Sequence, residues 1–160
     1  MDAFILDKTS NERVAFAIPD ITNDELSRMN DEMLTDSQLL QFLDNLEMSA
    51  DAKALVAELR ATTLKIGETA VRVGRRILEI ALVIFNAYPR TAFGAVVGFI
   101  LGILIGSIPV LGALLGPIAT PLLVALGVAH GYSEDLKDIA VDRKIREALN
   151  VYDPLVTAKD

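Results

Sequence analysis

From Thr91 to Ser133 the chain runs forty-three residues without an Asp, Glu, Lys or Arg, whereas all its charge lies in residues 1–90 and 134–160. An apolar helix needs about 20 residues to cross a hydrocarbon core of about 30 Å. The run is therefore long enough to cross twice, with a turn around Ser107 to Gly112, where Pro109 and Gly112 bracket a change of direction. This pattern predicts a helical hairpin inserted in a membrane over residues 91–133.

The flanking pattern predicts helices almost throughout. Residues 1–20 are the exception: AFIL and VAFAI flank the polar DKTSNER, which fits a short β-hairpin or two extended arms. An isolated hairpin is marginal, so this segment must pack on something else. Thr22-Asn23-Asp24-Glu25 and Thr35-Asp36-Ser37-Gln38 each match a capping box, and the second opens a helix with Leu39, Leu40, Phe42, Leu43 and Leu46 as its apolar side. Ser49 and Asp51 start a much longer helix running towards Tyr88, where Pro89 stops it. Its apolar stripe is Leu55, Leu59, Thr62 or Thr63, Ile66, Ala70, Val73, Ile77, Ile80, Ile84 and Tyr88, at spacings of three and four. Gly67 and Gly74 weaken this helix and mark places to bend. Ser133, followed by Glu134 and Asp135, caps a last amphipathic helix carrying Leu136, Ile139, Ala140, Ile145 and Leu149, with a short tail beyond Asn150. The expected fold is all-α, with amphipathic helices flanking a transmembrane or re-entrant helical hairpin. Four regions follow: an N-terminal soluble helical region (1–48), a long amphipathic helix (49–90), the hydrophobic hairpin (91–133) and a C-terminal amphipathic helix with its tail (134–160).

Within the hairpin, Gly94, Gly98, Gly102 and Gly106 recur every fourth residue and line one helical face, and Gly112 and Gly116 continue the small residues into the second arm. Such a face lets another helix approach closely. It suits a seam within the hairpin and a seam between copies equally well. Arg72, Arg75, Arg76 and Arg90 precede the uncharged run, and Lys137, Arg143, Lys144 and Arg146 follow it. The positive-inside rule then puts both termini on the cytoplasmic side of an inner or cytoplasmic membrane, with Tyr88 and Tyr132 as interface anchors. The four arginines are candidates for lipid headgroups, against an ordinary solvated face with Glu68 and Glu79 as partners.

Composition narrows the chemistry. A net charge of −7 argues against nucleic acid, which needs a basic footprint. There is no cysteine, and one histidine, His130, which no cysteine or close carboxylate pair joins in sequence, so no metal or cofactor is expected. The N-terminus MDAFILDKTSNERV has no sustained apolar run and is not read as a secretory signal. No phosphate loop, nucleophile elbow or carboxylate pair stands out, so an enzyme is not expected.

The segment GAVVGFILGILIGSIPVLGALLGPIATPLLVALG, set among amphipathic helices, resembles the hydrophobic hairpin of colicin-type pore-forming domains. That resemblance implies a hairpin sheathed by amphipathic helices until it meets a bilayer, where those helices contribute to a pore. The sequence reading is thus a non-enzymatic integral membrane protein that self-assembles through a glycine-rich hairpin and forms a small pore or perturbs the bilayer. The first alternative is a membrane anchor or scaffold presenting residues 1–60 to a cytoplasmic protein; the second is a soluble bundle or assembly in which the hairpin is buried against other subunits, which the residue count disfavours for a monomer. The bilayer and further copies of the chain are the expected partners.

Overall fold

A computed structural model describes residues 1–7, 10–88, 92–127 and 139–156. The all-α expectation is overturned at once, because seven α-helices and a four-stranded antiparallel sheet are found among these residues. Strands β1 (Asp2–Leu6) and β2 (Arg13–Ala17) form the hairpin allowed for at the N-terminus. Asn11, at φ 59°, sits in its loop, where the Asp7 and Glu12 backbones bond at 2.8 Å and the Ser10 amide donates to Asp7 Oδ1 at 3.3 Å. The hairpin does pack on something else: β1 also pairs with β3 (Leu64–Ile66), which pairs with β4 (Thr69–Val71), giving the order β2-β1-β3-β4. The register sets Ala3 opposite Phe16 and Ile66, and Ile5 opposite Val14, so these side chains share one face.

Strands β3 and β4 break the long helix expected over 49–90. Helices α1 (Asn23–Asn30) and α2 (Asp36–Asn45) begin at the two expected capping boxes, both fully formed. On α2 the core takes Leu39 and Leu43, while Leu40 and Phe42 stay exposed. Helix α3 (Ala50–Arg60) begins at Ser49, whose hydroxyl accepts from the Ala52 amide at 3.1 Å, but it ends at Ala61 and Thr62. From there Leu64, Ile66 and Val71 are buried, a period of two that suits a sheet face. Gly67, at φ +58°, opens the two-residue loop Gly67-Glu68, a conformation glycine adopts without strain. Only then does α4 (Val73–Ala87) start.

The uncharged run does form two antiparallel helices, α5 (Phe93–Ser107) and α6 (Pro109–Ala125). Ile108 joins them and Pro109 takes the first position of α6, where a missing amide donor costs nothing. Pro117 and Pro121 lie inside α6 but on its exposed side, as does Ala113, so the Ala113 and Pro117 carbonyls left unbonded can turn to water. What fails is the membrane crossing. At 1.5 Å per residue α5 and α6 extend about 22 and 26 Å, short of the hydrocarbon core of about 30 Å. No described helix is long and apolar enough to cross a membrane. The transmembrane and pore-forming readings are therefore corrected, and with them the placement in a membrane with cytoplasmic termini. The apolar side chains serve as core instead: α5 packs on α4 and α6, and α6 on α3. Val96, Val97, Ile100, Leu101 and Leu104 are buried with Leu111, Leu115, Ile118 and Leu122.

The expected tail is also structure. Helix α7 (Ile139–Leu149) runs into a 3-10 helix (Asn150–Leu155) that packs on α1, while α7 packs on α4. Val141, Ile145, Leu149, Tyr152 and Leu155 are buried. One apolar core thus extends from Ala3 to Leu155, and residues 1–60 are part of it.

Candidate functional site

Three places in this fold carry features beyond packing. The first is the outer side of the α5–α6 hairpin. Pro109, Ala113, Pro117, Thr120, Pro121 and Val124 recur at helical spacing along exposed α6, and Gly102, Gly106 and Ser107 are exposed at the end of α5. Val124 is 70% exposed. A surface helix ordinarily turns charge outwards; neither arm has any to turn. The expected glycine series divides here. Gly94 and Gly98 are buried, Gly102 and Gly106 are exposed, and Gly112 and Gly116 are half-buried. A Cβ at Gly112 would stand 3.1 Å from the Ile105 carbonyl oxygen, so this glycine serves the contact within the hairpin. A Cβ at Gly106 or Gly116 would meet nothing within 4 Å. The six glycines do not form one internal seam.

The second place is a charged cluster inside the protein. The expected headgroup ligands Arg72, Arg75 and Arg76 are brought together, but Arg75 is 5% and Arg76 8% exposed. Arg76 donates to the Arg28 carbonyl at 2.8 Å and to that of Asp31. A helix ends with carbonyls that lack intrahelical donors and carry partial negative charge, so a guanidinium suits the C-terminus of α1. Arg75 donates to the Leu34 carbonyl at 2.7 Å, to Asp36 Oδ1 at 3.0 Å and to Glu79, which is 1% exposed. The other oxygen of Glu79 accepts the Met33 amide at 2.7 Å. Arg72, half-buried, pairs with Glu32 at 2.9 Å, and its amide donates to Asn30 Oδ1, also at 2.9 Å. These groups hold the α1–α2 linker against α4. Their donors are taken up by the chain itself, as in the Glu79 partnership weighed from sequence, rather than offered to headgroups.

Tyr152 lies beside this cluster and was not singled out from sequence, although Tyr152 and Leu155, three residues apart, and the preceding Leu149 hint at a buried face. Its hydroxyl is buried with no hydrogen-bond partner among the described residues. Burial holds the phenol well above its ordinary range; the Arg76 charge opposes the rise and Glu79 adds to it. Since the folded-state value is the higher one, the hydroxyl adds no pH dependence below the unfolded value of about 10, where both states keep its proton, and stability falls as pH rises from there towards the folded-state value. Tyr152→Phe should therefore raise stability by about 1 kcal/mol near neutrality, because an unpaired buried hydroxyl is removed. It should also flatten the decline above about pH 10. Urea melts across that range check both effects. A neutral-pH loss as large as that from truncating a core residue would show that the hydroxyl has a partner.

The third place is a cleft of about 690 Å³. One wall is the open end of the sheet, with Ile5, Leu6, Val14 and Phe16; a second is the end of α3 and the residues after it, Glu58, Ala61, Thr62 and Thr63. The third is α6, with Ala113, Leu114, Pro117 and Ile118. β1 pairs with β2 along five residues but with β3 only at Ala3 and Phe4, and Val14 is 38% and Leu6 57% exposed. A much smaller cavity, about 10 Å³, is lined by Met29, Asn30, Asp31, Arg72, Arg75, Arg76 and Glu79, room for about one water.

Of the remaining expected residues, Tyr88 is half-buried at the end of α4, and its amide donates to the Ile84 carbonyl at 2.9 Å. Arg90, Tyr132, His130 and the proposed start of the last helix at Ser133 lie outside the described residues. Among the described residues no group of three or more His, Asp or Glu side chains is placed to hold a metal ion. Searches with this chain returned no matching family model, no matching curated protein and no matching solved structure.

Proposed function

We propose that this chain is a non-catalytic protein that acts by associating with copies of itself, through the outer face of the α5–α6 hairpin. The observation that carries this reading is the absence of charge along that face, from Pro109 to Val124 on α6 and from Gly102 to Ser107 on α5. The chain carries a net charge of −7, so two copies repel wherever acidic surfaces meet. The hairpin carries no charge to repel a second copy, and its exposed Pro109, Ala113, Pro117, Pro121 and Val124 gain from burial. Open space at Gly106 and Gly116 allows a second backbone to come close.

Sedimentation velocity over a wide concentration range tests it. The wild type should form dimers or larger closed assemblies, and Thr120→Glu with Val124→Glu should drive it to monomer by placing like charges across the seam. Each site is exposed, so the fold should survive, as circular dichroism will report. A wild-type monomer at the highest attainable concentration, or an unaffected double variant, would overturn the proposal.

A further inference from the structure

The two edges of the sheet are finished differently. At β4 the edge is three residues long and Asn30 closes it: its Nδ2 donates to the Ala70 carbonyl at 2.9 Å, and its Oδ1 accepts the Arg72 amide at 2.9 Å. At β2 no described residue pairs with the outer side. Met1 exchanges backbone bonds with Ile18, and the Asp7 amide donates to the Glu12 carbonyl. Alternation along an antiparallel pair then turns the amides and carbonyls of Val14 and Phe16 towards β1, and those of Arg13, Ala15 and Ala17 outwards. All three outward residues are exposed. Proline, lysine or a bulge usually shields such an edge. Strand β2 has none of these; it pairs one to one with β1, and its single charge, Arg13, stands at its start.

Donors and acceptors repeated at every second residue are matched by another extended strand. The side chains decide which kind. On one face Val14, 38% exposed, and the half-buried Phe16 gain from apolar neighbours across the edge. On the other face Arg13 is exposed and makes no ion pair among the described residues. An opposite charge directly across a strand pair is favourable. A second copy of β2 does not supply one, because antiparallel pairing about Ala15 sets an alanine across from Arg13.

We infer that β2 is a docking edge for an extended polypeptide segment, which joins the sheet antiparallel as a further strand, apolar beside Phe16 and Val14 and acidic opposite Arg13. A fluorescent, capped peptide containing Thr-Val-Thr-Val-Glu tests this by anisotropy. Its first threonine falls opposite Ala17, its valines opposite Phe16 and Val14, and its glutamate opposite Arg13. It should bind saturably at one per chain. N-methylation of the central threonine amide, which faces β2, should weaken binding about tenfold or more, whereas the same change at the preceding valine, whose amide faces away, should have little effect. Arg13→Glu should reverse the preference for this peptide over one with lysine in place of glutamate. Ala15→Pro removes an outward amide, a change an edge strand tolerates, and should abolish binding with the circular dichroism unchanged; the N-methyl pair reads the same geometry on the wild-type protein. Val14 and Phe16 line the cleft that also reaches Ala113 and Pro117 of the hairpin face. The titration is therefore repeated with the Thr120→Glu, Val124→Glu variant, where equal affinity is expected. Absence of saturable binding, equal weakening by the two N-methyl groups, undiminished binding by Ala15→Pro, or an altered affinity in the Thr120→Glu, Val124→Glu variant would each overturn the inference. So would loss of self-association in Ala15→Pro, which would give the edge to a second copy.

Discussion

Gly74→Ala is expected to destabilise the protein by about 3 kcal/mol or more, enough to leave much of the population unfolded at moderate urea concentrations. Gly74 is the second residue of α4, where that helix crosses the end of α3. A Cβ there would lie 1.6 Å from the Leu59 carbonyl oxygen, 2.7 Å from its carbonyl carbon and 3.2 Å from the Thr62 Cβ. The obstacle is backbone, so no rotamer change relieves it. The Gly74 amide also donates to the Thr62 carbonyl at 3.1 Å, which ties the two segments at the crossing. One methyl group must force α3 and α4 apart, opening the core at Leu59, Val73, Ile77 and Leu78. Gly106→Ala, measured at a concentration where the chain is monomeric, is the control, since within one chain nothing lies within 4 Å of its added Cβ and alanine is the better helix former by about 1 kcal/mol. It should be neutral to stabilising. If the two variants unfolded at the same urea concentration, the crossing would not be as close as the backbone positions require.

Gly74 also illustrates which parts of the fold were legible in the sequence. Local signals read correctly: Thr22 with Glu25, Thr35 with Gln38, and Ser49 all cap helices, because a cap is decided by residues three apart. The two helices of the uncharged run, and a turn at Pro109, were equally legible. The sheet was not. Ile66, Ala70 and Val73 fall at helical spacing between two real helices, so the stripe seemed to continue through them. Leu64 and Val71, off that stripe and yet buried, carried the contrary signal, together with Gly67 and the β-branched Thr62, Thr63, Thr69 and Val71. What settles the matter is pairing of β3 with β1, some sixty residues earlier, and a periodicity argument has no access to a partner that distant.

The same limit governs the sites. Forty-three uncharged residues announce that something apolar must cover them, but not whether lipid or protein does so. Here α3 and α4 cover one side of the hairpin, and its arms are too short to cross a bilayer. Arg72, Arg75 and Arg76 were visible as a group; the burial of Arg75 and Arg76 was not, because apart from Glu79 the oxygens they serve belong to Arg28, Asp31, Leu34 and Asp36, at least 39 residues away. The cleft draws its walls from β1 and β2, the α3 terminus and α6. None of these segments is distinctive alone.

Removing the Glu79 carboxylate is expected to be as damaging as crowding Gly74. Glu79→Leu leaves the Arg75 guanidinium, 5% exposed, without its buried counter-ion, and leaves the Met33 amide without its acceptor. Breaking one partner out of a buried pair costs about 3–5 kcal/mol, chiefly because the surviving charge remains out of water. Glu79→Gln keeps an acceptor for one donor and should lose less. Arg75→Met should also be costly, since Glu79 then faces the core unpaired. The double variant Arg75→Met, Glu79→Leu removes both charges while keeping similar volume, so its loss should fall well below the sum of the single losses. Urea denaturation of all four proteins closes the cycle. Strict additivity would mean that neither charge depends on the other, and that Asp36 and the Leu34 carbonyl are enough to satisfy Arg75. A strong coupling would identify the pair as what pins the α1–α2 linker to α4, and Tyr152 with the 3-10 helix packs against that junction. Destabilisation by Glu79→Leu should therefore loosen the C-terminal segment first, readable as faster amide exchange in residues 150–155 than in α5.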